Sequence, residues 1–165
     1  MEPDLNKLKE IVAKATAKKS FYKIQKLGKM YFFCDVEENG TSVKRIVLYD
    51  HNREYVGKIN VVKRTNNEYE VEGFYIENED YWGIGLGYYL LQNMIDLIKQ
   101  NDTEAKLLFV LPNSKIEPFD LYKKYHRQGF VFDNELEQQF KKIIDESSND
   151  HEFFNQRKIK MTMKL

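Results

Sequence analysis

Tyr81-Trp82-Gly83-Ile84-Gly85-Leu86-Gly87 is the stretch whose reading decides the fold. It lies between an alternating segment, Tyr69–Ile76, that predicts a strand, and Leu86–Gln100, which predicts a helix. Glycine at every second position removes Cβ atoms and lets the backbone approach a ligand, so that successive N–H groups can point at one anion. The helix behind it adds unpaired N–H groups and the positive end of its dipole. Strand, glycine loop and helix N-terminus therefore read as a pyrophosphate cradle. A glycine-rich loop standing alone is more often only a turn, so the reading depends on its flanks.

Upstream, the pattern is one of antiparallel strands. Met30–Val36, Val43–Tyr49 and Tyr55–Val62 are apolar or alternating, and they lead into Tyr69–Ile76 as a four-strand meander. Asn39-Gly40 is a favoured two-residue hairpin turn. Phe21–Leu27 is ambiguous, with a short strand one reading of it, and Asp4–Lys18 predicts an amphipathic helix with Leu5, Leu8, Ile11, Val12 and Ala15 on one face. The strand before the loop has a phase break. Tyr69 and Val71 alternate with Glu68, Glu70 and Glu72, but after Gly73 the residues Phe74, Tyr75 and Ile76 are all large. A bulge or close backbone approach explains this, and so does passage into full burial.

Downstream, Lys106–Leu111 is a solid apolar run ended by Pro112 and reads as a strand covered on both faces. Strand, helix, strand in that order requires a crossover, so Tyr69–Ile76 and Leu107–Leu111 should be parallel neighbours. Ligands of such units bind beyond the carboxyl ends of the strands, where the glycine loop lies. Pro118–Gln128 predicts a helix ended by Gly129, Phe130–Phe132 a short strand, and Glu135–Asp145 a helix with Leu136, Phe140, Ile143 and Ile144 as its apolar stripe. Arg157–Leu165 predicts a last strand with Lys158, Lys160 and Lys164 facing out.

Composition excludes several function classes. Lys+Arg and Asp+Glu balance at 26 each, so no global basic field points to nucleic acid. No apolar run reaches the roughly 18 residues a membrane span needs. His51, His126 and His151 are scattered without ligand spacing, which speaks against a metal site. The single cysteine, Cys34, reads as a buried small hydrophobe and cannot form an internal disulfide. A soluble, cytoplasmic protein is the expectation.

The order of elements resembles the GNAT acetyltransferase superfamily over roughly residues 42 to 165. Gly85 and Gly87 match the two glycine positions of the family's Arg/Gln-x-x-Gly-x-Gly/Ala loop, and Trp82 stands where Arg or Gln is usual. Asn113, Leu121-Tyr122, Tyr125 and Gly129-Phe130 resemble the family's later segment. The resemblance implies an α+β (mixed α/β) fold: a central, mostly antiparallel sheet with a parallel, splayed strand pair, flanked by helices. It implies one domain over residues 1–165, with 1–28 an atypical N-terminal helix and lead-in and 134–156 a helix and loop before the last strand.

It further implies acetyl transfer from acetyl-coenzyme A, as co-substrate and without a metal, to an unidentified amine on a small molecule or protein. Trp82, Gly83, Ile84, Gly85, Leu86 and Gly87 would hold the pyrophosphate. Phe74, Tyr75 and Ile76 would pair with the pantetheine arm and polarise the thioester, with Asn113 nearby. Glu72, or Glu77, would take the proton of the amine through water. Tyr125 or Tyr122 would protonate the departing thiolate; by count Tyr125 leads, by local context Tyr122. A homodimer through the C-terminal strand is compatible with the family. A catalytically degenerate acyl-coenzyme A binder, or a protein-interaction module on the same scaffold, remains the alternative.

Overall fold

The computed structural model describes residues 21–27, 30–39, 42–114, 117–149 and 151–165. They form two compact units. The first holds the described residues up to Lys63 together with Glu72–Thr103, and the second holds Arg64–Val71 with Glu104–Leu165. The helix expected over Asp4–Lys18 lies outside the described residues, as does Gly40 of the expected turn.

In the first unit, β1 (Phe21–Leu27), β2 (Met30–Asn39), β3 (Val43–Asp50) and β4 (Tyr55–Lys63) pair in sequence, each antiparallel to the last. The short strand over Phe21–Leu27 is thus real, and the meander is longer than its clearest signals. Register shifts between Leu48 and Tyr49, so that Tyr49 faces Tyr55. Helix α1 (Leu86–Asn101) packs on β3 and β4. Its buried stripe is Leu86, Leu90, Leu91, Met94, Ile95 and Ile98, with spacings that return to one face every turn. Leu97 lies at the edge of this stripe and is half-buried. Cys34 is buried, its Sγ 3.5 Å from the hydroxyl of Tyr89, whose pKa burial pushes far up.

Strand β5 (Glu68–Ile76) runs from the second unit into the first. Tyr69 and Val71 are buried, as their phase predicts. Phe74 and Ile76 are half-buried and Tyr75 is 40% exposed, so the phase break does not lead into a sealed core.

In the second unit, β5 pairs parallel with β6 (Leu107–Val110) from Glu68↔Leu107 to Val71↔Val110. This is the parallel pair that the crossover requires. β6 pairs antiparallel with β7 (Met161–Lys164). Helices α2 (Pro118–Arg127) and α3 (Asn134–Asp145) bring Phe119, Tyr122 and Phe140 into an aromatic core with Phe132 and Phe154. His126 Nε2 lies 2.8 Å from Glu137 Oε2 and ties the two helices together.

Three expectations change in this unit. Phe130–Phe132 is no strand, only an isolated bridge, Val131↔Thr162. The last strand is shorter than expected because Lys158 adopts φ 64° and its N–H turns to the Pro112 carbonyl. Lys158, Lys160 and Lys164 are exposed, as expected, and the Lys160 ammonium also lies over the Phe109 ring, 4.4 Å from its centroid. Of the predicted α3 stripe only Phe140 is buried, and Ile144 is 42% exposed. Among the described residues no helix is long and apolar enough to cross a membrane.

Candidate active site

The glycine loop is held at both of its first two side chains. Asn78 opens a short 3-10 turn, Glu79–Tyr81, by accepting from the Asp80 N–H at 3.0 Å. Tyr81 then turns inward: its ring meets Phe32 edge-on, with centroids 5.2 Å apart, and its hydroxyl donates to Asp50 Oδ2 at 3.1 Å. Burial first, and the Asp50 carboxylate next, push the Tyr81 hydroxyl up to about 12. Trp82 turns outward and is 57% exposed, but its indole N–H donates to the Ile76 carbonyl at 2.7 Å. The side chain that replaces the family's Arg or Gln therefore fastens the loop to the end of β5.

Beyond these anchors the backbone is bare. Gly83 and Gly85 have φ of 76° and 89°, a region an L side chain rarely adopts, and a Cβ at either would meet nothing within 4 Å. Gly85 is the N-cap of α1 and supplies no side-chain cap. The first intrahelical bond starts at Tyr89, whose N–H reaches the Gly85 carbonyl at 3.0 Å, so the N–H groups of Leu86, Gly87 and Tyr88 lie ahead of it. No acidic residue occupies the first turn. Open glycines followed by an uncapped helix start are what an anionic phosphate needs.

The end of β5 is shaped from below by Gly57. A Cβ there would press on the Tyr75 carbonyl oxygen and come within 2.8 Å of Ile76 Cδ1 and 2.9 Å of Ile76 Cα. This close approach lets β4 run under Tyr75 and Ile76, and the Glu77 N–H reaches the Val56 carbonyl at 2.8 Å. Glycine inside a strand pattern is the signal that could have found it. Gly73, the glycine the phase break singled out, is less constrained: its nearest neighbour for a Cβ is Asn60 Nδ2 at 3.6 Å. Glu72 is exposed on the same strand. In the first unit, then, Phe74, Tyr75 and Ile76 lie directly before the residues Trp82 to Gly87, and the Trp82 indole closes the segment between them.

The second unit separates the two tyrosines. Tyr122 is fully buried; its hydroxyl donates to the Gln156 carbonyl and accepts from the Ile159 N–H at 3.1 Å. Burial raises its pKa above the ordinary tyrosine value. Tyr125, one turn later, is half-buried with its ring edge-on to Phe130, centroids 5.5 Å apart, and burial pushes its hydroxyl up to about 12. Asn113 is exposed after β6. Among the described residues no group of three His, Cys, Asp or Glu side chains could hold a metal ion.

The family model described as the acetyltransferase (GNAT) family matches residues 10–130. Solved structures share the fold. A nourseothricin acetyltransferase is 14% identical, with a TM-score of 0.52 over 88% of this chain and 84% of that one. A GNAT-family acetyltransferase from Staphylococcus aureus Mu50 is 13% identical, with a TM-score of 0.51 over 76% and 69%. A Klebsiella pneumoniae protein described as an acyl-CoA N-acyltransferase is 17% identical, with a TM-score of 0.52 over 78% and 77%. No curated protein sequence matches the chain.

Proposed function

The chain belongs to the acetyltransferase (GNAT) family, and from that premise we propose that it moves an acetyl group from acetyl-coenzyme A to an amine by direct attack. The observation that carries this reading is the bare cradle: Gly83 and Gly85 open to solvent, followed by an α1 N-terminus without a side-chain cap. A diphosphate settles on such N–H groups without help from a basic side chain. That answers the replacement of Arg or Gln by Trp82, whose indole serves the loop's anchorage.

In this reading the pantetheine arm lies along Phe74–Ile76, and a main-chain N–H there steadies the negative charge that develops on the thioester oxygen. Glu72 takes a proton from the incoming ammonium through water, freeing the nitrogen lone pair. The nitrogen bonds to the acetyl carbon, the carbon–sulfur bond breaks with its electron pair leaving on sulfur, the nitrogen sheds its second proton to water, and the thiolate takes a proton. Tyr125 is the proposed donor of that proton. The Tyr122 hydroxyl already spends its donor on Gln156 and its acceptor on Ile159.

Titration calorimetry with acetyl-coenzyme A, followed by thiol release on a panel of amines, tests the reading. Binding by the native chain and its loss in Gly85→Val, at unchanged secondary structure by circular dichroism, is the expected result. Absence of any coenzyme binding by the native chain overturns it.

A further inference from the structure

One face of the first unit's sheet carries polar groups that the transfer reaction as described does not use. Strand register places them. Asp35, Val47 and Lys58 are opposed across β2, β3 and β4, as are Glu37, Arg45 and Asn60. Directly opposed residues share a face, and so do those two positions along each strand. In this row of side chains two oxygens are hidden from solvent and have no hydrogen-bond partner among the described residues: Asp35 Oδ1 and Asn60 Oδ1. Glu37 is different, being paired with Arg45 at 3.4 Å.

The same sheet already seats a cation at its β5 end. The ammonium of Lys58 lies over the Tyr75 ring, 5.5 Å from its centroid. Tyr75 and Tyr55 are hydrogen-bonded to one another, and Tyr49 and Glu77 stand close enough to act on Tyr55 electrostatically. Tyrosine faces with a neighbouring carboxylate attract ammonium groups. Tyr75 is 40% exposed and belongs to the strand end proposed above for the thioester. Asp35 is two strands from Lys58 and three from Tyr75, which puts it about 14 Å from the tyrosine seat at ordinary strand spacing. Burial, and then Glu37, hold its carboxyl above the usual aspartate range. Asp35 is itself only half-buried, so rotation about its last torsion can turn the hidden oxygen outward.

We propose that the acceptor is an aliphatic amine carrying a second cationic group about 14 Å from the first, its reactive nitrogen received at the Tyr55–Tyr75 pair and its remote charge at Asp35. Asn60 supplies an oxygen between the two. Lys58 acts as the chain's own occupant of the tyrosine seat and is displaced when the acceptor enters. The inference rests on the acetyltransferase reading for the identity of the reactive nitrogen, but not for binding.

The test uses the full chain without acetyl-coenzyme A, titrated with 1,10-diaminodecane and, as a control of equal length with one charge, n-decylamine. The diamine should bind about tenfold more tightly, the worth of one charge-assisted contact. Asp35→Asn, which is nearly isosteric, should cancel that difference while retaining the fold in a thermal melt. Lys58→Met should tighten binding of both amines by vacating the seat. Equal affinities for the two amines, a difference that survives Asp35→Asn, or weaker binding in Lys58→Met each overturns the inference. Acetyl-coenzyme A titration of the same samples keeps the two readings apart: donor binding without amine discrimination sinks only this inference, and discrimination without donor binding sinks only the transferase reading.

Discussion

The hydroxyl of Tyr81 donates to Oδ2 of Asp50, 3.1 Å away and 31 residues earlier in the chain. Asp50 is 3% exposed, and its other oxygen accepts from the N–H groups of Asn52 at 2.8 Å and Glu54 at 3.0 Å. One carboxylate thus folds the β3–β4 loop, in which Arg53 adopts φ 66°, and pins the start of the glycine loop. Asp50→Ala leaves three donors without their acceptor and should cost about 2–4 kcal/mol in denaturant unfolding. Tyr81→Phe should cost about 1 kcal/mol and weaken acetyl-coenzyme A several-fold with little change in kcat, because it loosens the cradle and leaves the reacting groups alone. Unchanged coenzyme affinity in Tyr81→Phe would show that the bond does not position the loop.

Gly57 and Gly73 make a paired prediction. Gly57→Ala drives a methyl into the backbone of Tyr75 and Ile76 and should destabilise the chain by about 1–3 kcal/mol, the range for overpacking. Gly73→Ala meets only ordinary contact distances, 3.6 Å and 3.9 Å, and should be nearly neutral. Thermal melts of the two variants settle the order. If Gly73→Ala is the more harmful, the close approach has been assigned to the wrong glycine.

Tyr122 and Tyr125 should separate by assay. Tyr122→Phe removes one hydroxyl that serves both the Gln156 carbonyl and the Ile159 N–H, and should cost about 1–3 kcal/mol of stability. Tyr125→Phe should lower kcat by about 10²-fold or more if it is the general acid, with a smaller effect on melting. A Tyr122→Phe variant that melts normally but turns over slowly would reverse the two roles.

Asp35 sets a pH dependence. Its folded carboxyl is held above 3.8 by burial first and by Glu37 second. A raised acid favours the folded state only while it is protonated, so its contribution is lost as pH climbs from 3.8 through the folded value. Asp35→Asn stays neutral throughout. The variant should melt higher than the native chain at neutral pH, and the gap should close on acidification toward 3.8. A gap that is constant with pH would point to packing and not to the charge.

Much of the fold is legible locally. Alternation in Val43–Tyr49 and Tyr55–Val62, the spacing of Leu90, Leu91, Met94 and Ile98, and the order strand, glycine loop, helix, strand are repeats of two or of about 3.6 residues, and each is written within a few neighbours. The bare glycine loop follows from the same short-range facts, since Gly83 and Gly85 fix backbone dihedrals by themselves. Where a hydroxyl goes is a different matter. Tyr81 and Tyr122 look alike in sequence, and only their distant partners, Asp50 and the segment Gln156–Ile159, decide that one steadies a loop and the other a core. The same holds for the 57% exposed Trp82 reaching Ile76, for Phe130–Phe132 making one bridge where a strand was expected, and for Asp35 sharing a face with Lys58 across β3. Residue type and spacing determine an element; which atoms satisfy one another depends on register and packing between segments far apart in the chain, and that is set only when the whole chain closes.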